Sequence, residues 1–142
     1  MDEQDDMEQQ IIGLISAALL PASAGGVILR EKNGIQEVVV CTRSRGKVIE
    51  LPKGGIEAGE TVKEAAIRES QEETGLKVRV IEEIGAIPGE DIHWFRMKMT
   101  GGKFRDHDKE FASVKWMPVY QALNKLTDET HKRILRTVGL SR

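Results

Sequence analysis

Glu69, Glu72 and Glu73 stand at i, i+3 and i+4, so on a helix they share one face. Like charges at those spacings repel and weaken an isolated helix. A cation among them relieves that cost, and carboxylate oxygens are hard ligands suited to magnesium or manganese. Most Glu-rich helices are only solvated faces. The difference here is the stretch that comes before: Leu51-Pro52-Lys53-Gly54-Gly55, then Gly59-Glu60. Its glycines let the backbone turn sharply and approach a ligand closely. A carbonyl oxygen from Gly54 or Gly55 is a candidate to complete a coordination sphere.

These groups need elements to position them. Thr61 with Glu64 three residues later forms a capping box that starts the helix. Gly75 takes the left-handed conformation that stops it. Upstream, residues 22–29 read as a strand, Asn33-Gly34 as a turn, and residues 38–43 as a returning strand that ends at Arg43 and Arg45. Downstream, residues 77–87 read as a strand with an irregular end, Pro88-Gly89 as a turn, and residues 92–100 as a further strand. In that strand Phe95, Met97 and Met99 point one way, and Trp94, Arg96 and Lys98 the other. Val119, Ala122, Leu123 and Leu126 have helical spacing. So do His131, Ile134, Leu135 and Val138, in a helix opened by Thr127 or Asp128. Strands alternating with a long helix, then two closing helices, imply a mixed sheet between helices.

The remaining chemistry-bearing side chains have plainer readings. Cys41 lies in the apolar run Val38-Val39-Val40-Cys41 and reads as a buried structural thiol. His131 reads as packing and His93 as a half-exposed strand histidine. Trp94 is an adenine platform only if its face is open; packing is the default.

Length and composition set the bounds. A chain of 142 residues fits one domain, here 1–142, with an acidic tail and an apolar segment in residues 1–20. A net charge of −2 gives no case for nucleic-acid binding. Residues 11–20 are apolar but too few to span a bilayer, and charged residues are 31% of the chain, as in soluble proteins. A single cysteine cannot form an internal disulfide, which fits a reducing cytoplasm.

The run from Gly54 through Glu60, Arg68-Glu69 and Glu72-Glu73 to Gly75-Leu76 resembles the box of the Nudix (MutT-like) hydrolases. One position departs: Ser70 stands where the family usually has an aliphatic residue, which is expected to loosen packing rather than chemistry. The resemblance implies an α/β/α Nudix fold and metal-dependent hydrolysis of a nucleoside diphosphate linked to another group. It implies Glu69, Glu72 and Glu73 as metal ligands, with Gly54 beside them. Arg68 would hold a box carboxylate in place, and Glu60 would orient a neighbour. Arg43 and Lys53 would meet substrate phosphate. Glu110, six residues before Trp116, resembles the family's late metal-reaching Glu. Either Glu110 or a box Glu would serve as base. Asp106, His107 and Asp108 are neighbours that could substitute. The layout looks most like the small dinucleoside polyphosphate hydrolases, whose substrates include diadenosine tetra- to hexaphosphate. Ile49 stands where many of those carry Trp. Hydrolysis of oxidised or ordinary nucleoside triphosphates, or of ADP-sugars, is the alternative. A non-catalytic nucleotide sensor is the alternative of another class. The expected partner is a small nucleotide, with no nucleic acid and no membrane, and the expected state is monomer or homodimer.

Overall fold

The middle of the sheet is β1 (Ser23–Lys32). The computed structural model describes residues 3–8 and 21–139, with residues 3–8 helical and exposed. The apolar segment at 11–20 lies outside the described residues. β1 turns at Asn33-Gly34 into β2 (Ile35–Arg43). Both turn residues are left-handed, with φ of 54° and 78°, as a two-residue hairpin whose twist matches its strands requires. β3 (Ile49–Glu50) pairs with the end of β2, and β4 (Lys53–Gly55) pairs with the start of β1. After helix α1 (Val62–Thr74), β5 (Leu76–Gly85) runs antiparallel to β6 (Ile92–Gly102). β6 lies parallel to β1, from Ser23 opposite Ile92 to Ile28 opposite Met97. β7 (Phe111–Pro118) returns beside β2. The chain closes with α2 (Val119–Lys125) and α3 (Glu129–Gly139).

Two cores lie on opposite faces of this mixed sheet. Ala24, Ile28, Val39 and Cys41 pack with Ala65 and Ala66 of α1. The alternate residues Val27, Leu29, Val38 and Val40 pack with Ala122, Ile134, Leu135 and Val138 of α2 and α3. Because β1 and β2 are covered on both faces, their sequences are continuous apolar runs instead of alternating ones. Each such Val, Ile or Leu contributes about 1.5–3 kcal/mol on burial. The architecture is the expected α/β/α arrangement. No helix among the described residues is long and apolar enough to cross a membrane.

Trp94 is fully buried and meets His131 edge-on, with ring centroids 5.1 Å apart, so it offers no open face to a base. The capping box of α1 is complete: Thr61 Oγ1 accepts from Glu64 N at 3.1 Å, and Glu64 Oε1 accepts from Thr61 N at 3.0 Å. Gly75 ends the helix with φ of 78°. Ser70 corrects the expectation of loosened packing. It is fully buried, and a Cβ added to Gly26 would lie 2.5 Å from its Oγ. The small pair Ser70 and Gly26 thus lets α1 approach β1 closely, and a larger side chain at either position would force the two apart.

Candidate active site

The loop from Leu51 to Gly55 is tied down from three sides. Its β4 residues pair with Ser23–Gly25. Pro52 O accepts from Gly26 N at 3.0 Å. Leu51 N donates to Nδ1 of the buried His131 at 3.2 Å. Just upstream, Ile49 and Thr127 exchange two hydrogen bonds of 2.9 and 3.0 Å. Lys53 N donates to Glu73 Oε1 at 3.0 Å, which joins the loop to α1 at the carboxylate face.

Arg68 organises that face. Its Nε and Nη2 grip both oxygens of Glu60 at 2.6 and 2.9 Å. Its Nη1 lies 2.7 Å from Glu69 Oε1 and 3.3 Å from Glu72 Oε2, and Nη2 donates to Gly55 O at 2.8 Å. The Arg68 bond, with a Glu57 backbone N–H, holds the Glu60 carboxyl down at about 2. The Glu69 carboxylate lies flat over Gly54. A Cβ there would be 2.1 Å from Glu69 Oε2, so any side chain at position 54 would displace this carboxylate.

Glu73 is the buried member, at 5% exposure. Burial first, opposed by the Lys53 N–H, and then the charges of Glu50, Glu69 and Glu110 push its carboxyl up to about 8. Glu50 is also buried and reaches Arg43 Nη2 at 2.7 Å. That contact is a charge pair without hydrogen-bond alignment, for Glu50 Oε1 has no hydrogen-bond partner. Arg43 also lies 3.6 Å from Glu110 and covers the Phe111 ring at 5.1 Å. Cys41 is pushed up by burial and then by Glu73 and Glu50, so its thiol stays protonated and is no nucleophile.

As they stand, no three carboxylate, imidazole or thiol groups among the described residues share one chelating position, and Arg68 engages Glu69 and Glu72. The donor set nonetheless fits a hard divalent ion. It offers mutually repelling carboxylates, one of them, Glu73, buried, beside a glycine cradle.

A model of the NUDIX domain matches residues 19–138. The chain belongs to the NUDIX family. The RNA pyrophosphohydrolase of Stenotrophomonas maltophilia is 32% identical over 112 residues, which are 79% of this chain and 51% of that protein. The 8-oxo-(d)GTP phosphatase of Mycolicibacterium smegmatis is 35% identical over 106 residues, 70% of this chain and 33% of that protein. This NUDIX chain therefore spans about half, or less, of the length of these curated relatives. Among solved structures, a binary complex of the C. elegans Ap4A hydrolase superposes with a TM-score of 0.67 at 22% identity, covering 83% of this chain and 96% of that one. At that identity the likeness is one of fold.

In this NUDIX domain the structure gathers Glu69, Glu73, Lys53, Gly54 and Gly55 with Arg68, and brings Arg43 and Glu110 to the same side. Glu72 points outward, its side chain 56% exposed. Glu110 lies in the turn before β7, with its side chain half exposed. His107 turns back onto the Asp108 carbonyl, and Asp108 Oδ1 accepts from Glu110 N. His93 pairs with Glu83. Sequence reasoning missed two residues. Glu50 carried a signal, a lone charge next to an apolar Leu-Pro. His131 was read as packing, and its grip on Leu51 spans 80 positions, beyond any local pattern.

Proposed function

We propose that this chain hydrolyses a pyrophosphate linkage in a nucleoside diphosphate derivative, with a dinucleoside polyphosphate such as diadenosine tetra- to hexaphosphate as substrate. The observation that carries the reading is the placement of Glu73, buried against Glu50, Glu69 and Glu110 on a helix whose Arg68 fixes the neighbouring carboxylates. Glu69, Glu72 and Glu73, the Gly54 carbonyl and Glu110 would hold magnesium or manganese. When bound, such an ion polarises phosphoryl oxygens and acidifies water. The chain's own residues do the rest. Arg43 and Lys53 offset negative charge on the phosphate being cleaved. Lys53 is suited to this, for its ammonium has no ion pair among the described residues. Glu110, or a box Glu, takes the proton of the attacking water. Arg68 and Glu60 keep Glu69 in place. The lone buried thiol of Cys41 supports work in a reducing cytoplasm.

A second reading is hydrolysis of an oxidised nucleoside triphosphate. It is favoured by the 35% identity to the 8-oxo-(d)GTP phosphatase. Burial of Trp94 supports it too, since that removes an adenine-stacking face. Chromatographic product analysis with magnesium separates the two readings. ATP or ADP released from diadenosine substrates, well above other rates, supports the first. Monophosphate and pyrophosphate from 8-oxo-dGTP support the second. No turnover of either compound, with manganese also tried, would leave a nucleotide-binding module and sink the hydrolase reading.

A further inference from the structure

At the other end of β1 from Gly54 lies a second cleft. Ala24 pairs with Gly54, and Arg30 lies six residues further along the strand, about 20 Å away at strand rise. The cleft has a volume of about 670 Å³ and lies between the end of β1, the start of β2, the middles of β5 and β6, and Trp116 of β7, within the range of small-molecule sites. None of its lining residues belongs to the carboxylate site. Four cationic side chains line it, Arg30, Arg79, Arg96 and Lys98, against one acid, Glu31. That is a local reversal of sign in a chain of net charge −2.

Two of these cations form an unusual pair. Arg79 of β5 and Lys98 of β6 are direct register partners, and like charges directly opposite each other destabilise a sheet. Neither has an ion pair among the described residues, whereas Arg30 has Glu37 and Arg96 has Glu82. Beside them stands one of the chain's exposed large apolar side chains, Ile81 at 44%, and Met99, 37% exposed, lines the cleft from the other face of β6. Solvated surface charge accounts for neither the cleft nor its apolar wall. A ligand with an anionic end and an apolar body accounts for both. The indole of Trp116, with Arg30 stacked 4.2 Å above it, closes the inner wall.

We propose that this cleft is a second ligand site, which holds a soluble phosphorylated molecule of nucleoside size. Its phosphate lies between Arg79 and Lys98, and its apolar body rests on Ile81.

The probe is ADP, titrated into the full chain in EDTA and followed by calorimetry and tryptophan emission. The chain has two tryptophans. Trp94 is fully buried against Gly25, beside the Leu51–Gly55 loop, so an emission change that survives Trp94→Phe reports Trp116. Wild type should bind one ADP with a change in emission. The double variant Arg79→Thr, Lys98→Thr should bind it at least tenfold more weakly. It should melt no lower than wild type, since a like-charge pair has been removed. Equal affinity in the two proteins, or binding without an emission change, would place ADP elsewhere and overturn the proposal. No binding to wild type at millimolar ADP would overturn it as well. Because the titration excludes divalent ions, its result stands apart from whether the carboxylate site turns over substrate.

Discussion

At the scale of single residues, Glu73 is the most exposed to test. Its carboxylate is buried among three others, so an added divalent ion should stabilise the folded chain by mass action. Magnesium in the millimolar range should raise the melting temperature of wild type by several degrees. Glu73→Gln should lose most of that rise and lower turnover by about 10² or more, with an unchanged circular dichroism spectrum. An intact magnesium response in the variant would remove Glu73 from the ion site. Glu50 and Glu110 both approach Arg43, at 2.7 and 3.6 Å, but differ in burial. If Glu110 is the base, Glu110→Gln should lower kcat by about 10²–10⁴ and remove the acidic limb of the pH–rate profile. Glu50→Gln should instead free Arg43 and raise KM more than it lowers kcat. An unchanged profile in Glu110→Gln would hand the proton to a box Glu. The three box carboxylates were legible because helical spacing alone puts them on one face. Glu50 was not, because its neighbours come from β2 through the pairing of Cys41 with Glu50.

At the scale of elements, α1 and β4 form one unit. The helix start and stop could be read directly, since Thr61, Glu64 and Gly75 act on adjacent backbone. What could not be read was how near the loop comes to the helix. Gly54 looked like a residue for turning the chain, yet its role in the structure is to leave room for the Glu69 carboxylate. Gly54→Ala puts a methyl where that carboxylate lies, so Glu69 must swing away from Arg68 or β4 must leave β1. Activity should fall by about 10² or more, as for other misplacements near the chemistry, and a crystal structure of the variant should show Glu69 rotated. Near-normal turnover would mean that the Glu69 position over Gly54 is incidental. Ser70 carries the same lesson. Its departure from an aliphatic residue looked like a defect until Gly26 appeared opposite.

At the scale of the molecule, the layered arrangement followed from double-sided apolar strands and terminal helices, but the joints between distant segments did not. The parallel register of β1 and β6 joins segments about 70 residues apart. The clamp in which α3 holds the lead-in loop through His131 spans 80. That clamp makes stability depend on pH in a calculable direction. Leu51 N donates to Nδ1, so the neutral ring carries its proton on Nε2, and burial pushes the imidazole below its ordinary value. The unfolded chain therefore takes up a proton first as pH falls. The contribution of His131 is complete above about pH 6.5 and erodes below it. Glu73 acts with the opposite sign, for a carboxyl raised to about 8 favours the fold increasingly as pH falls from 8 toward 4.5. Melting of wild type alone mixes the two, so the informative quantity is a difference. At pH 7.5, His131→Gln should be less stable than wild type by about 1–3 kcal/mol, the cost of disturbing a buried hydrogen bond. By pH 5 the gap should have narrowed, because wild type then bears the cost of keeping His131 neutral and the variant does not. The protection of the Leu51 amide against hydrogen exchange, taken relative to the intrinsic rate at each pH, should fall over the same interval in wild type only. A gap that stays constant from pH 7.5 to 5 would mean that the ring titrates as freely in the fold as in the unfolded chain, and that the clamp does not depend on its neutral form.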